Sequence, residues 1–344
     1  MTDFRSLFLS GQLEINSFMS LWWWWWHGST VVETNVHSMS MTYGAVLLSA
    51  SSLTHRMWTG SVCFFEKASD APCLSKSTAS VDLSLGIGGV TDLKWVGDSA
   101  KFVATADSGA VMLFEMDGDD TIKCLAQPIE HSDIALTIDV NADRTKAVSS
   151  GNDGRVKIWD VEDFISVHTY KGRRLNVRRA NPNEDVYRPF QDSRLMLWDT
   201  RNVKPACIID SSFLPHKPSS VAWDSTGNLV AFGSDSGHVA LWDMASKSLK
   251  GEVATVHSRN VNRLTFSPHG SHLASASEDC TVCISGYSSA GITDIYRDNT
   301  HLDFVRCVAW APESNAAFSC GWDGQVRKIE PKENMLTESV NGRR

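Results

Sequence analysis

The apolar positions of this chain fall in short alternating runs between polar turns, the period-two pattern of half-buried strands. One run recurs. An Asp-containing turn leads into an alternating apolar stretch that ends on Trp-Asp, at Asp153 to Asp160, Asp192 to Asp199 and Asp235 to Asp243. Asp107 to Glu115 is a weaker copy ending Phe-Glu. Asp279 to Ser285 and Asp323 to Ile329 keep the Asp and the alternation but lose the Trp. Gly60 to Phe65 is a first, divergent copy. Aligned on the first apolar strand residue, Val62, Val111, Val156, Leu195, Val239, Val282 and Val326 stand 49, 45, 39, 44, 43 and 44 residues apart.

A second register keeps step with the first. Sixteen residues before five of these positions stands a bulky apolar residue: Trp95, Val140, Trp223, Phe266 and Trp310. Turn signals follow four of them, at Val96 to Asp98, Ser225 to Gly227, Ser267 to Gly270 and Ala311 to Pro312. Each repeat therefore reads as an inner strand, a turn, a second strand, an Asp turn and a third strand. A period of forty to forty-five residues with these ends predicts a β-propeller of four-stranded blades. Seven copies predict seven blades in an all-β chain. A lone blade cannot bury both its faces, and stacking around an axis does so. No fourth strand is visible after Ile329, whereas 31–38 alternates suitably. This stretch is expected to complete the last blade and latch the ring. The organisation expected is a tail over 1–30, a propeller over 31–331 and a polar tail over 332–344.

Composition narrows the function. The 344 residues carry 32 Lys+Arg against 40 Asp+Glu, a net charge of -8, with no dense basic stripe, which disfavours direct nucleic-acid binding. No run of eighteen apolar residues offers a membrane helix. Of the 13 Trp, five form the run Trp22 to Trp26, outside every repeat. That run reads as a disordered tail or an incorrect gene start. The 8 Cys are scattered, so reduced structural thiols in cytoplasm or nucleus are expected. Cys280 and Cys283 form a lone C-x-x-C, read as lying on one strand with side chains on opposite faces, and no further pair supplies zinc ligands. Neither metal nor cofactor is expected. Gly86 to Gly89 lacks dinucleotide-binding spacing and reads as a loop before an inner strand. The fourth repeat departs from the pattern. It has the shortest step, Arg173, Arg174, Arg178, Arg179 and Arg188, and Pro189 where the second strand should run. A distorted blade, or an error in the sequence or splice assignment, is favoured over a basic patch for phosphate or an acidic partner, because a buried Arg is expensive.

The repeats resemble the WD-repeat family, in which a His, a Ser or Thr, the turn Asp and the Trp form a hydrogen-bonded structural tetrad. The resemblance assigns that role to His131, Ser149, Asp153 and Trp159. It also assigns His257, Ser275 and Asp279, with Ser285 in the Trp place, and His301, Ser319 and Asp323, with Ile329 there. A His–Asp–Ser catalytic triad is formally available, but these residues repeat with the blade and a triad occurs once. No catalytic residue is expected.

More specific stretches are Leu48 to Leu53, Arg56 to Ser61, Val90 to Gly97, Ala106 to Val111, His301 to Arg306 and Gly321 to Asp323. They resemble the methylosome WD-repeat subunits, non-catalytic partners of the type II protein arginine methyltransferase that makes symmetric dimethylarginine. The resemblance implies a hetero-octamer of four plus four, with Sm proteins and core histones as clients, in cytoplasm and nucleus. A generic scaffold or ubiquitin-ligase substrate receptor is the alternative. Ser52 to Gly60 reads as an extended loop that leaves Arg56 and Trp58 off the repeat register. Trp and Arg dominate interface energetics, and the family motif matches at both, so these two are the expected partner contacts.

Overall fold

The computed structural model describes residues 34–331, apart from 43, 55–56, 84–85, 97–99, 119, 142, 172–175, 181–185, 192–193, 200–204, 270–271 and 289–290. Of 34, 53–54, 57–58, 74 and the described residues within 171–207, only the backbone is described. The run Trp22 to Trp26 and both expected tails lie outside these residues, as do Arg173 and Arg174.

The first sheet joins β1 (Thr34–Thr42), β2 (Ala45–Thr54), β3 (Met57–Phe65) and β4 (Ala79–Asp82) in that order. The second joins β5 (Val90–Trp95), β6 (Lys101–Ala106), β7 (Val111–Met116) and β8 (Ile122–Ala126). The third joins β9 (Ala135–Val140), β10 (Lys146–Gly151), β11 (Arg155–Asp160) and β12 (Ser166–Lys171). The fourth joins β13 (Asn176–Ala180), β14 (Val186–Gln191), β15 (Arg194–Asp199) and β16 (Pro205–Asp210). The fifth joins β17 (Pro218–Trp223), β18 (Leu229–Ser234) and β19 (His238–Asp243). Its outer strand is broken into β20 (Ser248–Leu249) and β21 (Ala254–Thr255). The sixth joins β22 (Val261–Phe266), β23 (His272–Ser277), β24 (Val282–Ser288) and β25 (Gly291–Asp298). The last joins β26 (Val305–Trp310), β27 (Ala317–Gly321) and β28 (Val326–Ile329).

The expected count of seven blades is corrected by this topology. Among the described residues six sheets have the full inner-to-outer set of strands, so the propeller has six complete blades. The last sheet stops at three strands. The expected latch is also overturned. Thr34 to Thr42 pairs with β2 in the first sheet and does not pair with β28. It packs against β5 on one side and against β26 on the other. The ring closes there by packing: Val36, Met39, Val46, Leu48 and Phe65 bury against Cys307, Ala316, Phe318 and Cys320. A similar apolar layer fills the next joint, with Leu47, Val62 and Phe64 against Leu93, Phe102 and Phe114.

Each inner strand is the bare edge of its sheet, and each breaks its pairing near its start, at the second residue in β5, β9, β17, β22 and β26 and at the fourth in β1. The register skips His37, Thr91, Leu136, Ser219, Asn262 and Arg306, and in the fourth sheet it slips between Val177 and Ala180. A bulge frees and re-aims its extra residue. Three of these side chains use that freedom to reach the next sheet. Thr91 Oγ1 donates to Ala135 O (2.5 Å), Ser219 Oγ to Val261 O (2.8 Å) and Asn262 Nδ2 to Val305 O (2.9 Å). Otherwise those carbonyls would remain unpaired edge groups. In the fourth sheet Pro189 does lie within β14, opposite Val177, while the β14–β15 pairing runs from Tyr187–Trp198 to Phe190–Leu195. The second strand survives because the ladder is interrupted where the missing N–H would fall.

Asp92 on β5 is the deepest inter-sheet tie. Its side chain is buried, and its carboxylate accepts from Ser38 Oγ of β1 (2.5 Å), from its neighbour Leu93 N (3.0 Å) and from Ile138 N of β9 (3.2 Å). Arg263 of β22, a strand that does not adjoin β5 in the ring, places NH1 3.6 Å from Asp92 Oδ2. Burial opposes the charge on Arg263, but Asp92, Cys307 and Asp139 outweigh it and hold the guanidinium pKa above its ordinary value. Removing one partner strands the other in a low-dielectric interior. Asp92→Ala is expected to lower stability by about 3–5 kcal/mol, read from urea unfolding. Ser38→Ala, which leaves the ion pair in place, should lower it by only about 1 kcal/mol.

Candidate interaction site on the first sheet

The element that sets the first sheet apart is the β2–β3 hairpin. In the third sheet Ser150 and Val156 face each other and five residues, 151–155, make the turn. In the first sheet the equivalent pair is Ser49 and Val62, and twelve residues, 50–61, lie between them. The extra residues are not the loop expected over Ser52 to Gly60. They continue the ladder as Ser51–Gly60, Ser52–Thr59, Leu53–Trp58 and Thr54–Met57. β-Branched and aromatic residues suit such a ribbon, and the Ser52 and Thr59 hydroxyls bond across it (3.0 Å). Trp58 therefore stands on β3 in the second pair from the end. Arg56, in the turn, lies outside the described residues.

The root of the hairpin is fixed from both sides. Gly60 O accepts from Leu83 N (2.8 Å), and a Cβ at Gly60 would lie 2.7 Å from Gly88 O and 2.9 Å from Val90 N. Only glycine allows that approach. On the other side His37 Nε2 bonds Ser51 Oγ (2.5 Å), and the His37 ring meets Trp322 edge-on (6.1 Å). Arg306 lies over Trp322 (5.2 Å) and its NH1 donates to Asn262 Oδ1 (3.3 Å). Phe304 packs against Trp322 (5.4 Å) and Arg259 lies over Phe304 (6.0 Å). Burial first, and then the Arg306 charge, push the His37 pKa down to about 4. The stretches His301 to Arg306 and Gly321 to Asp323 thus meet at the hairpin root. His37, Asn262 and Arg306 were not visible as a group in the sequence, because a bulge position carries no fixed residue type. The skip that recurs near the start of each inner strand is the signal that finds them.

The three His–Asp–Ser sets are each assembled. His131 Nδ1 lies 3.1 Å from Asp153 Oδ1, and its Nε2 lies 2.8 Å from Ser149 Oγ, which also accepts from Trp159 Nε1 (2.8 Å). His257 reaches Asp279 (3.0 Å) and Ser275 (2.7 Å), and His301 reaches Asp323 (2.9 Å) and Ser319 (2.8 Å). Where Trp is missing, Ser285 donates instead to Asp294 (3.1 Å). All three His and all three Ser are buried, and the arrangement recurs sheet by sheet, so it braces the turns. The fifth sheet replaces this polar set with Phe213 stacked on Trp242 (5.5 Å). Burial lowers the His131 pKa against the pull of Asp153. Asp153, Asp279 and Asp323 are held below the ordinary carboxylate range, because hydrogen bonds from their His partners and from backbone N–H groups outweigh burial.

Cys280 is not on a strand, contrary to the sequence reading. It occupies the Asp279 turn at φ 65, while Cys283 is buried on β24. A turn separates the pair where a strand was expected. Among the described residues no three His, Cys, Asp or Glu side chains cluster as metal ligands.

The comparisons with known proteins agree with this architecture. The WD domain, G-beta repeat model matches residues 122–160, 211–243, 250–284 and 293–328. A chain in a crystal structure of the mitotic checkpoint complex superposes with a TM-score of 0.69 at 18% identity, covering 85% of this chain and 86% of that one. That likeness concerns the fold alone. Periodic tryptophan protein 2 of Arabidopsis thaliana is 26% identical over 57% of this chain, which spans 22% of that protein. Methylosome protein WDR77 of Xenopus laevis is 38% identical over 305 residues, 86% of this chain and 89% of its own length. The chain belongs to the methylosome WD-repeat protein family. Within this methylosome WD-repeat protein the family model leaves 161–210 unmatched. That interval holds the fourth sheet, where the Arg residues and Pro189 break the repeat.

The His37 environment sets an acid response. A His whose folded pKa lies below its unfolded value refuses a proton that the unfolded chain accepts. Stability is then complete above about pH 6.5 and falls as pH drops towards 4, by on the order of 3 kcal/mol. The lowered aspartates extend the loss below about pH 4, where the unfolded carboxylates take up protons first. Denaturation series from pH 7 to pH 3 should show both phases. His37→Gln should flatten the first and leave the second.

Proposed function

We propose that the chain is the adaptor subunit of a methylosome, a non-catalytic propeller that holds a type II protein arginine methyltransferase and helps present its clients. The observation that carries this reading is the β2–β3 hairpin. It is seven residues longer than the matching turn of the third sheet. It is rooted on both sides, and it bears Arg56 and Trp58 in a chain 38% identical to a methylosome protein. A hairpin fixed at its root and carrying Trp and Arg in its sequence is the kind of anchor that concentrates binding energy. We read the complex as a hetero-octamer with four copies of each subunit. Sm proteins and core histones are the proposed clients, met in cytoplasm and nucleus. Their basic tails suit a partner of net charge -8, whose field raises encounter rates.

Affinity purification with the methyltransferase tests the reading. Trp58→Ala should leave the unfolding transition unchanged and weaken the complex by more than about 2 kcal/mol, a loss of roughly 30-fold in affinity. Arg56→Ala should act in the same direction. Full-strength recovery of the enzyme with both variants would overturn the hairpin as the anchor.

A further inference from the structure

Two cysteines stand directly opposite each other in the last sheet. Cys307 on β26 pairs with Cys320 on β27 in the antiparallel register. Both are free thiols and both are buried, at 2% and 0% exposure. Directly opposed residues on antiparallel strands have Cα atoms about 4.5 or 5.5 Å apart, depending on the pair type. Either spacing lies inside the range of about 4.4–6.8 Å that a disulfide spans. The Cys307 thiol also reaches Met39 O (3.7 Å), and the Arg263 guanidinium acts on the pair. We propose that Cys307 and Cys320 form a redox site, a cross-strand dithiol that a hydroperoxide converts to a disulfide.

The chemistry needs a thiolate beside a thiol. The neighbouring Cys320 thiol and the Arg263 charge, opposed by burial, lower the Cys307 pKa, and the same pairing keeps Cys320 protonated. The Cys307 thiolate attacks one peroxide oxygen, the O–O bond breaks, and a sulfenic acid and hydroxide result. Cys320 gives up its proton, its sulfur attacks the Cys307 sulfur, and the S–O bond breaks. Two thiols and one hydrogen peroxide become one disulfide and two waters. Burial makes the site slow. Oxidant reaches it when the last sheet opens, and this sheet has only three strands among the described residues. The link would lie under the Arg306–Trp322 stack, since Arg306 precedes Cys307 and Trp322 follows Cys320 by two residues.

The test treats the full chain with graded hydrogen peroxide, blocks remaining thiols and maps peptides by mass spectrometry. The expected product is a peptide pair joined through Cys307 and Cys320, two mass units lighter than the free pair. It should form after the exposed Cys73 and Cys124 have reacted. The melting temperature should rise by at least about 3 °C, return with dithiothreitol, and stay unmoved by peroxide in Cys320→Ser. If that variant fails to fold, Cys307→Ala with Cys320→Val supplies the same control. Peroxide that modifies Cys73 and Cys124 to completion without joining 307 to 320, or that joins either to Cys63, overturns the proposal.

Discussion

The inner strands decide this fold, because each must leave one backbone edge facing the axis. An unpaired edge inside a closed ring is costly, and the sequence answers it with side chains. A bulge near the start of the inner strands β1, β5, β9, β17, β22 and β26 releases a side chain from the ladder. Thr91, Ser219 and Asn262 then satisfy a carbonyl of the next sheet. Asp92 goes further, taking bonds from β1 and β9 and an ion pair from β22. A charge so placed ties non-adjacent sheets to one position. Among the described residues closure rests on β1 meeting β26 through packed side chains.

The repeat was legible wherever one rule held across sheets. The Asp turns, the inner-strand aromatics and the His–Ser–Asp spacing all follow the blade period, and the structure brings His131, Ser149, Asp153 and Trp159 within hydrogen-bonding reach. Reading failed where insertions shifted that spacing. The first sheet lengthens its hairpin by seven residues and shortens the preceding turn by two. The inner-strand position therefore stands at Met41, five residues farther upstream of Val62 than the sixteen-residue rule allows. The sequence reading therefore assigns 31–38 to the last sheet, whereas 34–38 pair in the first, and the last sheet has three strands among the described residues.

Chemistry was less legible than periodicity, for a different reason. Polar braces can be exchanged for others of equal effect. Ser285 finds Asp294 in the absence of Trp, and Phe213 with Trp242 replaces a hydrogen-bonded set by stacking. Sequence shows the loss of a residue and not its substitute, because the substitute comes from a neighbouring strand or loop. Cys280 illustrates the same limit: its φ of 65 belongs to the turn, which the C-x-x-C spacing alone does not reveal.

The hairpin and the ring are connected at one place, and that place is the closing joint. His37 belongs to β1, whose flank meets β26. It bonds Ser51 at the hairpin root and touches Trp322 of the last sheet, beside Arg306. A ribbon of two strands is marginally stable alone, so the position of its tip is set by its root. Gly60 locks that root to the second sheet, and His37 refers it to the last. The hairpin therefore reports the geometry of three consecutive sheets around the closure. A partner gripping its tip would bind a ribbon whose orientation depends on the ring being closed.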